Sequence, residues 1–202
     1  MSAPSPHLRG WVRHLPNIVS AARIAATPAL VYCAVRGNEA AFTWILVPAL
    51  LSDIVDGLLA RALQLQSKLG ALLDSIGDVL LLFTSIFGIW TFEREVILDH
   101  QPWCVALVAA WLVEILAALL RYGRLSSFHT YVSKVAGYLL GIFVGVLFVF
   151  GFQPWLMYAA VATSVLGNLE ELVLLRLLPE WRADVRGVHW VLRERRRGQL
   201  AS

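Results

Sequence analysis

Charge is scarce in this chain. Asp, Glu, Lys and Arg make up only 15% of its 202 residues, against about 25% in a soluble domain. A fully water-facing surface is therefore excluded, and an apolar content of 58% with a mean hydropathy of +0.68 points to lipid instead. Cysteine is nearly absent too. Cys33 and Cys104 stand in no Cys-x-x-Cys and no Cys/His cluster, which argues against zinc; two free, packed thiols are expected. The first 16 residues contain Pro4, Pro6 and Pro16 and no apolar core of the kind a cleaved leader needs, so no cleaved signal peptide is expected. There is no internal repeat and no series of alternating segments of about ten residues. The second absence excludes a membrane barrel and leaves the helix as the way to satisfy the backbone in lipid.

What is present is a set of apolar runs at about 17–36, 40–63, 68–90, 103–121, 131–150 and 154–178. Each is near the roughly 20 residues that cross a bilayer as a helix. The basic residues fix the direction. With six spans, one side collects Arg9, Arg13, Arg61, Lys68, Arg121, Arg124, Lys134, Arg182, Arg186, Arg193, Arg195, Arg196 and Arg197. The other side has Arg36 and Arg94, beside Glu39, Glu93, Glu95 and Asp99. The positive-inside rule puts both termini in the cytoplasm. The basic charge is thereby accounted for by topology, and no nucleic-acid partner is expected. The fold expected is an all-α integral membrane protein with six transmembrane helices. Residues 1–16 form a cytoplasmic or interfacial segment, 17–178 the membrane domain and 179–202 a basic cytoplasmic tail. Gly137, Gly141 and Gly145 recur every four residues in the fifth span, a small-residue face expected to pack within the bundle. Trp90, Trp103 and Trp155 mark span ends, as in an aromatic belt.

Against this background the stretch "DIVDGLLARALQLQSKLGALLDSIGD" is out of place. It puts Asp53, Asp56, Asp74 and Asp78 into the second and third spans. Asp53 and Asp56 are three residues apart, and Asp74 and Asp78 four, so each pair shares a helix face. Counting from Arg61 and Lys68 at 1.5 Å per residue, both pairs lie roughly 10 Å inside the cytoplasmic end. Unpaired carboxylates at that depth would cost several kcal/mol each. Arg61 and Lys68 are too few and too near the surface to balance them. Divalent cations with hard oxygen ligands are the expected counter-charge, Mg²⁺ or Mn²⁺, with two ions able to bridge a diphosphate. Gly57 and Gly70 would let a flat ligand approach the backbone.

The pattern Asp53-x2-Asp56-Gly57-x2-Ala60-Arg61-x8-Gly70-x3-Asp74-x3-Asp78 resembles, without departure, the signature of the CDP-alcohol phosphatidyltransferase family. The resemblance implies a CDP-linked donor such as CDP-diacylglycerol, a small polar alcohol as acceptor, a phosphodiester product and release of CMP. By position it implies that Asp53, Asp56, Asp74 and Asp78 hold the metal pair and that Asp78 is also the base for the acceptor hydroxyl. Gly57, Ala60, Gly70 and Arg61 would take the nucleotide and a phosphate. It further implies a homodimer and, for a bacterial member, the cytoplasmic membrane with the site toward the cytoplasm.

The acceptor is less defined. The opening "LPNIVSAARIAATP" resembles that of bacterial phosphatidylglycerophosphate synthases and singles out Asn17, Ser20 and Arg23, with Asn17 assigned to the nucleotide site. Glu114 and Arg121, seven residues apart, resemble a spacing in the same synthases. Arg121, Arg124, His129 and Lys134 form a basic group suited to an anionic acceptor, glycerol 3-phosphate first. Where those synthases often carry "GKxKT", this chain has "SKVAG", which keeps inositol phosphate, serine and choline open, as well as a CDP-alcohol donor with a lipid acceptor. Two other classes remain as alternatives: an intramembrane prenyltransferase, and a transporter or non-catalytic lipid-binding scaffold. The Gly57–Ala60–Arg61–Gly70 frame disfavours the first; the missing repeats and the retention of four carboxylates disfavour the second. Glu170 and Glu171 are given no catalytic role.

Overall fold

A computed structural model describes residues 15–63, 68–124, 130–178, 180, 185 and 187–196; the side chains of 15–17, 53–63, 68, 69, 71, 195 and 196 lie outside that description. The chain is all-α, and among the described residues there is no strand. Its helices are α1 (Leu15–Val35), α2 (Glu39–Leu63), α3 (Lys68–Phe92), the short α4 (Arg94–Asp99), α5 (Gln101–Tyr122), α6 (Tyr131–Phe150), α7 (Pro154–Leu177) and α8 (Val188–Arg196). Five of them, α1, α3, α5, α6 and α7, contain stretches long and apolar enough to cross a membrane, and α2 opens with a shorter apolar stretch, Glu39–Ser52. This is an integral membrane protein, and the six apolar runs read from the sequence coincide with the six long helices.

The apolar side chains of such a protein turn outward, because lipid is as apolar as they are. Trp44, Leu120 and Phe150 are accordingly among the most exposed residues. Cys33 is buried, Cys104 is half-buried, and both thiols are free.

The chain divides into two compact units, Met1–Ile97 and Leu98–Ser202. In the first unit α1 packs along α3 and also against α2. Gly37, with φ of +66°, turns the chain between α1 and α2, and Asn38 caps α2 by accepting the Ala41 N–H at 3.0 Å. α1 contains Pro28 and α2 contains Pro48. A proline removes one N–H donor from a helix, and hydroxyls near both prolines bond back to carbonyls of their own helix. Thr27 donates to the Arg23 carbonyl at 3.3 Å and Ser52 to that of Ala49 at 2.8 Å.

Just past the end of α3, burial pushes the Glu93 carboxyl above its ordinary value, and the carboxylates of Glu39 and Glu95 push it the same way. A raised folded-state value means the folded protein binds this proton more tightly than the unfolded chain does, so stability is gained as pH falls through it and lost as pH rises. Glu93→Gln should therefore raise the melting temperature by roughly a degree or two at neutral pH and leave it unchanged in acid, where Glu93 is already protonated. A gain of the same size at both pH values would contradict this.

In the second unit α7 packs against α5, α6 and α8. Its lower end forms a small core of Ala118, Leu174, Leu175, Leu178, Val185 and Val191. Thr130 caps α6 by accepting the Ser133 N–H at 3.1 Å, and Ser133 in turn donates to Glu171 at 2.6 Å. Gly167 admits this approach: a Cβ there would lie 3.2 Å from the Ser133 hydroxyl. Glu170 accepts the Val188 N–H at 3.1 Å, which fixes the start of α8. Both glutamates thus hold helix ends in place. At Gly137 and Gly141, two of the three glycines of the small-residue face, a Cβ would meet nothing within 4 Å among the described residues.

Candidate active site

The site is built where α1 meets α3. Ser20 and Arg23 lie three residues apart on α1, and Asp74 and Asp78 four apart on α3, so each pair points to one side of its helix. The two sides face each other. Nη1 of Arg23 donates to Oδ1 of Asp78 at 2.5 Å and reaches Oδ1 of Asp74 at 3.4 Å. The Ser20 hydroxyl also reaches Oδ1 of Asp74 at 3.4 Å. The contacts advance in the same sense along both helices, Ser20 to Asp74 and then Arg23 to Asp78, so α1 and α3 run parallel.

Exposure separates the partners. The Arg23 side chain is fully buried, whereas those of Asp74 and Asp78 are 46% and 49% exposed. The guanidinium is an internal fixture, and the carboxylates present part of their surface outward. Gly77, between the two aspartates, lies against Arg23. A Cβ there would sit 3.5 Å from Arg23 Cδ, an ordinary contact.

Charge bookkeeping shows what the arrangement can hold. Asp74, Asp78 and Arg23 sum to one net negative charge before Asp53 and Asp56 are counted. Half-exposed carboxylate oxygens, fixed from behind and carrying excess negative charge, suit a hard divalent cation. Asp74 and Asp78 supply two carboxylates of the kind Mg²⁺ or Mn²⁺ takes, and among the described residues no group of three His, Cys, Asp or Glu stands together.

Of the residues singled out in the sequence, Ser20, Arg23, Asp74 and Asp78 are brought together. Asp53, Asp56, Gly57, Ala60 and Arg61 lie on the C-terminal half of α2 and Asn17 in the first turn of α1, with their side chains outside the described residues. Gly70 lies in the first turn of α3, half-buried. His129 falls outside the described residues. Arg121 donates through Nη2 to the Leu178 carbonyl at 3.1 Å, next to the Tyr122 hydroxyl at 2.8 Å from the same oxygen. Arg124 is exposed beyond the Gly123 cap. Lys134 is in the first turn of α6, its Nζ 6.0 Å from the Tyr131 ring centre. Glu114 is buried within α5.

Sequence reasoning singled out Arg23 by its motif but sought the counter-charge for the aspartates in Arg61, Lys68 and metal. The signal was present. Arg23 is eight residues past the start of α1, midway between the six and ten residues that separate Asp74 and Asp78 from the start of α3. A buried arginine in an apolar span needs an anionic partner at its own depth, and these carboxylates are at that depth.

Comparison with known proteins identifies the family. The family model for CDP-alcohol phosphatidyltransferase matches residues 13–166. A CDP-diacylglycerol–glycerol-3-phosphate 3-phosphatidyltransferase of Arabidopsis thaliana is 34% identical over 109 residues, which cover 52% of this chain and 47% of that protein. A CDP-diacylglycerol–inositol 3-phosphatidyltransferase of Saccharomyces cerevisiae is 32% identical over 92 residues, 46% of this chain and 38% of that one. A Mycobacterium tuberculosis protein provisionally named a cardiolipin synthase is 33% identical over 190 residues, 82% of this chain and 86% of that one. The chain spans less than half the length of the plant relatives it matches, 47%, 30% and 33% of three of them. No solved structure matches it. The chain belongs to the CDP-alcohol phosphatidyltransferase family.

Proposed function

We propose that this protein transfers a phosphatidyl group from CDP-diacylglycerol to glycerol 3-phosphate and releases CMP, at the cytoplasmic face of a bacterial inner membrane. The observation that carries the reading is the Asp74–Asp78 pair: half-exposed, on one face of α3, anchored from behind by Arg23 and standing in the family's own motif. Residues 17–178 make up the catalytic domain in this reading, and a homodimer is the assembly the family resemblance suggests.

In the reaction, the acceptor hydroxyl oxygen bonds to the phosphorus that carries diacylglycerol. The bond from that phosphorus to the bridging oxygen breaks, and its electron pair leaves with CMP. The hydroxyl proton passes to the Asp78 carboxylate, a general base at the reacting oxygen. The family is generally divalent-metal dependent; two Mg²⁺ or Mn²⁺ ions held by Asp53, Asp56, Asp74 and Asp78 would neutralise charge on the diphosphate. Asn17, Gly57, Ala60, Arg61 and Gly70 take the nucleotide and its phosphates. Arg121, Arg124, His129 and Lys134 take the charge of the acceptor.

The choice of glycerol 3-phosphate is supported by the α1 opening that contains Asn17, Ser20 and Arg23, and by relatives named for that acceptor in Arabidopsis thaliana and Aquifex aeolicus. A second reading, formation of cardiolipin with phosphatidylglycerol as acceptor, is favoured by the mycobacterial relative, which matches along most of both chains. The test is CMP release by the purified protein with CDP-diacylglycerol and one acceptor at a time: glycerol 3-phosphate, phosphatidylglycerol, inositol phosphate, serine or choline. Release with glycerol 3-phosphate alone is the expected result. Release only with phosphatidylglycerol would select the second reading, and release only with another acceptor would overturn both.

A further inference from the structure

The described polar contacts of the site converge on one residue that the family motif in α2 and α3 does not contain. Arg23 is a full positive charge with no exposed side-chain surface, 2.5 Å from the carboxylate assigned as base and 3.4 Å from a second carboxylate assigned to metal. Charges in a membrane interior are kept only where they are paired, and like charges one helical turn apart repel. Arg23 therefore does two things at once. It relieves the repulsion between Asp74 and Asp78, and it occupies their Oδ1 atoms from the protein side. Ser20, equally buried, steadies Asp74 from the same helix.

We propose that Arg23 is the resident counter-ion of the metal centre, a positioning residue that keeps the carboxylates assembled without metal and sets how tightly metal binds. The inference rests on the reading of Asp74 and Asp78 as metal ligands. A guanidinium and a divalent cation that share the same carboxylates are two ligands with unfavourable coupling, and such coupling is reciprocal. Arg23 stabilises the metal-free protein and weakens metal binding by the same factor. With it, the site does not depend on metal for its shape. With two divalent ions bound, its charge also tips the centre toward positive, which suits an anionic diphosphate.

The test uses the full chain in detergent, stripped of metal with EDTA and then titrated with MnCl₂ while its melting temperature is followed. In Arg23→Gln the metal-free protein should melt lower than wild type. Its apparent Kd for Mn²⁺ should be about tenfold tighter, within the usual range of site–site coupling, so that Mn²⁺ recovers most of the lost melting temperature. Arg23→Lys, which keeps the charge, should stay near wild type in both respects. Equal or weaker Mn²⁺ binding by Arg23→Gln, with the same loss of melting temperature at all Mn²⁺ concentrations, overturns the proposal and makes Arg23 a packing residue. If Arg23→Gln does not fold without metal, it is combined with Asp74→Asn and Asp78→Asn, which remove the charges Arg23 balances. Folding of the triple variant supports the proposal, and continued failure overturns it. A wild-type protein whose melting never responds to Mn²⁺ overturns the metal reading itself, an outcome distinct from a wild type that responds and a variant that responds identically.

Discussion

Asp78→Asn should lower CMP release by about a thousandfold, in the middle of the range for loss of a general base. The substitution keeps the shape of the side chain and removes its negative charge, so it cannot take the acceptor's proton and is a poorer ligand for a divalent ion. The structure limits what else is lost. Arg23 keeps its 3.4 Å approach to Asp74, so the buried guanidinium retains one anionic partner and the α1–α3 contact should survive. Folding and chemistry can therefore be separated: the variant should melt within a few degrees of wild type while turnover disappears. EDTA should have the same effect on the wild-type enzyme, reversed by Mg²⁺ or Mn²⁺, because the two other charges described at the centre, Asp74 and Arg23, cannot neutralise a diphosphate without metal. Unchanged turnover in Asp78→Asn would mean that another group takes the proton. Unchanged turnover in EDTA would mean that the carboxylates serve a different purpose.

How much of this was legible in the sequence depended on the physical origin of each feature. The helices were readable because bilayer thickness sets their length, and the apolar runs end where the chain leaves the lipid. The pairing of Asp74 with Asp78 was readable because four-residue spacing puts both on one face. Arg23 was harder. Nothing local in "SAARIAATP" links it to α3, since the bond joins residues 55 apart. Only a depth comparison between two parallel helices finds it, and that comparison needs each span's first residue fixed to within about a turn. Glu170 and Glu171 show the opposite limit. Nothing in the sequence around them names these contacts: Glu170 accepts a backbone N–H at the start of α8 and Glu171 a hydroxyl near the start of α6. Such capping needs the tertiary fold, because the partner's position, and not its type, decides it. Gly88 was passed over for a related reason. A glycine in an apolar span looks like any other until the helix opposite it is known.

Gly88→Ala should destabilise the first unit by about 2–3 kcal/mol, the upper part of the usual range for overpacking. A Cβ at Gly88 would lie 2.5 Å from Cε1 of the Phe42 ring and closer still to Cζ, distances no carbon pair tolerates. The ring cannot swing away cheaply. Phe42 has no exposed surface, its ring rests against Phe92 at 5.5 Å between centroids, and its backbone is held by the Asn38 carbonyl at 3.0 Å. α2 would have to lift from α3, and it is α2 that carries Asp53 and Asp56. The clash predicts its own remedy. Phe42→Leu alone should be destabilising, because it leaves space beside Gly88, but in the Gly88→Ala background the methyl group fills that space. The double variant should therefore melt higher than the two separate losses would give, by an amount equivalent to about 1–2 kcal/mol of coupling. Thermal melts of the four proteins in one detergent measure it. Strictly additive losses would show that α2 and α3 are not in contact through this pair.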